Sequence, residues 1–139
     1  MLVLDTNHLT ELGYGSPSGL RLRDRLLASA EDNATTIICV EEQLRGWLAE
    51  IHRLTSPHQQ ITAYQRLQER IKFFAAWEVL PWDTAAADMF LEFRRQGLRI
   101  GSMDLKIACI TIRHNATLLT RNIGDFAQIR ELRVVNWLG

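Results

Sequence analysis

The chain alternates short apolar runs with longer stretches of helical period. Residues 2–4 are apolar and are followed at once by Asp5, which predicts a buried strand with an acid at its carboxyl end. Asn7 is the expected N-cap of a helical turn that runs towards the glycines at 13–19. Residues 18–30 predict a leucine-rich helix presenting Leu20, Leu22, Leu26 and Leu27. The β-branched run 35–40 predicts a second strand. A helix is then expected from about Glu41 to Leu54, its acids in the first turn where the helix dipole favours them. After the break at Ser56-Pro57, Ile61, Tyr64, Leu67, Ile71 and Phe74 recur at helical spacing and predict a long amphipathic helix. A brief strand over 78–80 stops at Pro81, and a helix over 84–96 ends at Gly97. Ser102 is the expected N-cap of a helix over 103–114 that is apolar on nearly every side and therefore central. Strands at 116–120 and at Val134-Val135 complete the pattern.

Short apolar strands separated by helices describe an α/β fold with a parallel sheet covered on both faces. A length of 139 residues fits one domain, 1–139, and no repeat or long linker divides it. With 47% hydrophobic residues the chain can bury a real core without disulfides. Cys39 and Cys109 lie in apolar runs and read as buried reduced thiols. Sixteen basic and sixteen acidic residues give a formal net charge of zero, which argues against indiscriminate binding to DNA or membranes. The apolar start ends at Asp5, too soon for a signal-peptide core, and no run is long enough to span a membrane, so a cytoplasmic location is expected.

In open parallel sheets ligands bind outside the carboxyl ends of the strands. That rule selects Asp5-Thr6-Asn7, then Glu41 and Glu42, then Thr120-Arg121-Asn122 with Asp125. Asp104, the one acid of the oily helix, joins them. Any one of these acids has a plain structural explanation as a cap or a strand-end residue. Converging carboxylates, however, repel one another, and a hard divalent cation relieves that repulsion. An oxygen-rich set suits Mg²⁺ or Mn²⁺, while His8, His52, His58 and His114 are too scattered for zinc.

These segments resemble the PIN-domain ribonucleases, in particular VapC-type toxins of toxin–antitoxin pairs. Asp5-Thr6-Asn7 is similar to the opening of the family, Glu42-Gln43-Leu44-Arg45-Gly46 to its second acidic segment and Asp104-Leu105-Lys106-Ile107-Ala108 to its third. The run from Leu118 to Phe126 resembles the fourth, and the motifs follow one another in order along nearly the whole chain. The resemblance implies a three-layer α/β/α sandwich and a Mg²⁺- or Mn²⁺-dependent endoribonuclease. It further implies a homodimer neutralised by a small cognate antitoxin.

On that reading Asp5 and Asp104 hold the metal, and Glu42 binds it or orients a water. Asp125 or Asn122 completes the shell or positions a second ion. Thr6 and Thr120 are placed behind the carboxylates, where their hydroxyls tune them. Arg94, Arg95, Arg99, Lys106 and Arg121 flank the acidic segments and are candidates for RNA phosphate contacts. An aspartate-nucleophile phosphohydrolase would need a second carboxylate where Asn7 stands, and a receiver domain would need a lysine where Arg121-Asn122 stands. A catalytically silent PIN-like module that only binds RNA or a partner is the alternative, and the full set of acids argues against it.

Overall fold

A computed structural model describes residues 1–138. Five strands, β1 (Leu2–Leu4), β2 (Asn33–Thr36), β3 (Glu78–Leu80), β4 (Thr117–Leu119) and β5 (Arg133–Val135), form one sheet in the order β3-β2-β1-β4-β5. Every pairing is parallel, with Leu2 opposite Asn33 on one side and opposite Thr117 on the other. The helices are α1 (Thr6–Tyr14), α2 (Pro17–Ser29), α3 (Ile37–Arg53), α4 (Gln60–Ala75), α5 (Thr84–Arg95), α6 (Ser102–Arg113) and the short α7 (Ile123–Phe126). The chain steps outward from β1 to β2 to β3, then returns to lay β4 and β5 on the other side. Right-handed crossovers therefore send the first four helices to one face and α5, α6 and α7 to the other. The result is the three-layer α/β/α arrangement, as the family resemblance implies.

The core follows from this. Val3, Leu4, Leu118 and Leu119 on the two central strands are fully buried. In α6, Leu105 and the run from Ile107 to Thr111 are equally inaccessible, so the oily helix is indeed central. Truncating such a side chain, as in Leu118→Ala, typically costs about 2–5 kcal/mol.

Several local expectations are corrected. Asp5, not Asn7, caps α1, because its carboxylate accepts the Thr6 N–H. The β-branched run does not continue as a strand to residue 40. Thr36 caps α3 by accepting the Cys39 N–H, and residues 37–40 make its first turn, burying Ile38 and Cys39. Glu41 and Glu42 thus fall in the second turn rather than the first. Gly101 is the N-cap of α6, and the Ser102 hydroxyl instead receives an N–H from Arg94. In α4 the inward face is Ala63, Arg70 and Phe74, whereas Ile61, Tyr64 and Ile71 are more than half exposed. Leu20 and Leu27 of α2 likewise face out, leaving Leu22 and Leu26 for the core.

Candidate functional site

The order of the strands reverses at β1, whose neighbours β2 and β4 are reached by opposite steps of the chain. A crevice opens beyond the carboxyl ends of strands at such a switch point. Asp5 stands there, directly after β1, and is only 3% exposed. Its backbone N–H donates to the Leu119 carbonyl at 2.9 Å, which extends the β1–β4 ladder by one residue. Its Oδ1 accepts the Thr6 N–H at 2.7 Å, and its Oδ2 accepts the Thr120 hydroxyl at 2.7 Å. The Thr120 oxygen in turn accepts the Asn122 N–H at 3.1 Å, so one hydroxyl fixes both the acid and the loop after β4. Beneath the acid, the Cys39 thiol lies 3.8 Å from Oδ1. Burial, with the Asp5 charge beside it, pushes that thiol up to about 12, which keeps it protonated and inert.

Glu42 reaches the same edge from α3. Successive helix positions face about 100° apart, and the two adjacent acids accordingly part company. Glu41 turns out to solvent and pairs with Arg45, whereas Glu42 turns inward and accepts the Thr6 hydroxyl at 2.8 Å. Burial raises the Glu42 pKa above the ordinary carboxylate value despite that hydrogen bond, with Asp5 and Asp104 adding to the rise. Asp104, in the first turn of α6, is half-buried. Its pKa is raised by burial first, then by Asp5 and Asp125. Asp125 sits on α7, an element the sequence did not announce, and both it and Asn122 are exposed.

Asp5, Thr6, Glu42, Asp104 and Thr120 therefore gather at one edge, with Asp125 near enough to repel Asp104. Among the described residues, no ion pair engages Asp5, Glu42, Asp104 or Asp125. No three carboxylate, imidazole or thiol groups among the described residues stand close enough together to enclose an ion. The chemistry of the donors nevertheless fits a hard divalent cation: oxygen ligands only, mutually repelling, and without an ion-paired base among the described residues.

The basic candidates divide. Arg94 is folded back on the Leu98 carbonyl and Ser102, and Arg95 is paired with Glu92 on the outer face of α5. Lys106 lies 5.8 Å from the centre of the Trp82 ring, and Arg99 is exposed. Arg121 is nearest the acidic edge, with its N–H on the Asn7 Oδ1 and its guanidinium 3.8 Å from Glu11.

A protein-family model of the PIN domain matches residues 2–132. The chain belongs to the PIN-domain family. It is similar to ribonuclease VapC1 of Haemophilus influenzae strain R2866, with 26% identity over 140 residues covering 97% of this chain and 96% of that protein. A stretch of 46 residues is 48% identical to ribonuclease VapC2 of Rickettsia felis, covering 33% of this chain and 34% of that one. Among solved structures it resembles VapBC2 from Rickettsia felis bound to a promoter DNA fragment, with TM-score 0.68 and 26% identity over 98% of both chains. VapBC-1 from nontypeable Haemophilus influenzae, 22% identical, shares the fold with TM-score 0.73 over 99% of this chain and 98% of that one.

This PIN domain also holds residues that sequence reasoning passed over. Gln43 is buried, and its Nε2 donates to the Thr10 hydroxyl at 2.9 Å and the Thr6 carbonyl at 3.3 Å. Its Oε1 accepts an N–H from Arg70, itself 9% exposed, at 2.6 Å. The available signal was an arginine seven residues beyond Ala63 on one face of α4, where the apolar stripe seemed to lie elsewhere. His8 is fully buried and bridges the two ends of the fold. Its Nδ1 lies 2.7 Å from the Asn7 Oδ1, and its Nε2 accepts the Trp137 N–H at 3.2 Å. Accepting at Nε2 requires the neutral tautomer with the proton on Nδ1. Burial, helped by Arg121, pulls its pKa down to about 4, which keeps that tautomer at neutral pH.

Proposed function

We propose that this PIN domain is a Mg²⁺- or Mn²⁺-dependent endoribonuclease and the toxin of a two-component pair, restrained by a small cognate antitoxin. The observation that carries the reading is the set of Asp5, Glu42 and Asp104 at the switch-point edge, without an ion-paired arginine or lysine among the described residues. The likeness to ribonucleases VapC1 and VapC2, and to a VapBC complex, supports the choice of RNA and of a partner.

Asp5 and Asp104 would hold the ion, with Asp125 or Asn122 completing the set. A bound divalent ion supplies Lewis acidity towards a phosphate oxygen and a water of lowered pKa. The residues do the rest. Thr120 and the Thr6 N–H hold the Asp5 carboxylate in one orientation. Thr6 occupies Oε2 of Glu42 and leaves Oε1 to accept the proton of the attacking water. Attack by water at phosphorus breaks the P–O3′ bond and leaves a 3′-hydroxyl and a 5′-phosphate. Arg121 is the basic residue best placed to meet the substrate backbone.

The chain would act as one domain over 1–139 in the cytoplasm. No helix among the described residues is long and apolar enough to cross a membrane. The exposed apolar residues of α3 and α4, among them Ile37, Leu48, Ile61, Tyr64 and Ile71, offer surface for a second copy and for the antitoxin. Incubation with structured RNA and Mn²⁺ should give 5′-phosphate products, and a 2′-deoxy substitution at the cut should leave cleavage in place. Cleavage that survives exhaustive chelation would overturn the reading. RNA binding without any cleavage would favour the silent module instead.

A further inference from the structure

Beside the acidic edge lies a buried positive charge that the proposed chemistry does not use. Arg70 projects from α4 towards α1 and α3, lies against the Phe73 and Phe74 rings, and is in no ion pair among the described residues. Among the described residues its one hydrogen bond is to Gln43, and its buried Nε has no partner. Burial lowers its pKa, but a guanidinium stays charged at any physiological pH. A buried charge without an opposite charge is costly, which makes an anion the natural occupant of the space before it.

That space exists and opens on the acidic edge. A cavity of about 260 Å³ is lined by Thr6, Thr10, Glu42, Gln43, Trp47 and Arg70. Hydrogen bonds run unbroken from Glu42 through Thr6 and Gln43 to Arg70. Outward it meets a second cavity of about 610 Å³ that shares Tyr14, Trp47 and Arg70 and adds Arg66 and Glu69. Tyr14 is 68% exposed, and the Arg66 guanidinium lies 5.9 Å from the centre of the Trp47 ring. A buried guanidinium beside the exposed Tyr14 ring and the half-buried Trp47 suits a phosphate and its stacking base.

We propose that Arg70 binds a backbone phosphate of the RNA next to the one that is cut, with the adjoining base against Tyr14 or Trp47. This rests on the ribonuclease reading above and adds a subsite to it. Arg70 acts as a binding and positioning residue. It touches the strand but not the reacting atoms.

The test pairs a residue with a phosphate. Cleavage of one RNA oligonucleotide is compared with that of versions carrying a single neutral methylphosphonate at each position flanking the cut. The wild-type protein should show KM raised about tenfold at one flanking position, with kcat within about twofold. In Arg70→Gln, KM should already be raised about tenfold, and the sensitivity to that position should be gone. The salt dependence of log(kcat/KM) should also lose about one unit of slope, as expected for one phosphate contact. Gly13→Ala provides a variant that leaves Arg70 in place. A Cβ at Gly13 would lie 2.2 Å from the Arg70 Nη1, so the guanidinium must shift, while alanine favours the helix. It should reproduce the Arg70→Gln kinetics with an unchanged or higher melting temperature, and it carries the test alone if Arg70→Gln does not fold. Additive losses, or wild-type KM in a folded variant, overturn the subsite and leave the ribonuclease reading standing. Loss of binding to a copurifying acidic peptide, with RNA kinetics unchanged, assigns Arg70 to a protein partner and overturns the subsite too. A wild-type protein that cuts no RNA overturns both.

Discussion

Two buried charges of opposite sign sit a few hydrogen bonds apart in this PIN domain, and the fold treats them differently. Asp5 is held on both carboxylate oxygens, from the helix it caps and from the residue that follows β4. Arg70 is held at one nitrogen by a neutral amide, lies against the Phe73 and Phe74 rings and lines a cavity. An acid so thoroughly oriented has had its geometry settled before any ligand arrives. A base with a single hydrogen bond among the described residues keeps donor capacity for one. Burial by itself therefore says little about function, whereas the count of engaged atoms separates a group that is aimed from one that is waiting.

The largest effect should come from the aimed side. Asp5→Asn and Asp104→Asn should each lower the cleavage rate at saturating Mn²⁺ by more than about 100-fold, since groups that merely orient a ligand are already worth about 10–100-fold. Circular dichroism of both variants should remain that of the wild type. Rates near wild type in either would break the contrast. Next in size is Thr120→Val, which removes the donor to Asp5 and the acceptor for the Asn122 N–H. Activity should fall about 10–100-fold, and stability by about 1–3 kcal/mol for the unmet backbone group, both readable from rates and a urea titration.

A third measurement concerns the repulsion. Glu42 and Asp104 have raised pKa values in the folded protein, so the fold binds their protons more tightly than the unfolded chain does. Stability must then fall as pH rises from the ordinary carboxylate range through those raised values. In chelator, Glu42→Gln and Asp104→Asn should melt above the wild type at pH 7, and the gain should vanish near about pH 4. Added Mn²⁺ should raise the wild-type melting temperature more than that of either variant. His8 runs the other way. Its depressed value makes the unfolded chain the better proton acceptor, so its contribution is present above about 6.5 and is lost as pH falls towards about 4. His8→Phe should flatten that acid limb of the melting curve. Smallest is the split between the exposed residues after β4. Asp125→Ala should weaken activity more at low Mn²⁺ than at high, while Asn122→Ala should cost less and show little metal dependence. Rescue of the Asn122 variant by metal would reverse their roles.

Much of this is legible in the sequence alone. The strands are short and apolar, so the acids that follow them stand out: that rule selected Asp5 and the pair Glu41 and Glu42, and the family resemblance singled out Glu42. Asp104 declared itself as the lone charge on an oily helix. The β2–α3 junction was misread because Thr35, Thr36, Ile37, Ile38 and Val40 share strand preferences. Only the Thr36 cap and the burial of Ile38 and Cys39 decide where extension stops. Arg70 was hidden for a related reason. On α4 three of the periodic residues, Ile61, Tyr64 and Ile71, face solvent, and the side that packs inward carries the arginine beside Ala63 and Phe74. Periodicity finds a face, but tertiary partners such as Gln43 decide which face is buried.

The bond between Thr120 and Asp5 joins residues 115 apart in the chain. During synthesis, Asp5, Glu42 and Asp104 are all made before the hydroxyl that orients the first of them. The central strand likewise waits for β4 before its second edge is covered, and such long-range pairings close late. Until that hydroxyl has been made, a nascent chain carries the acids without the clasp that orients Asp5.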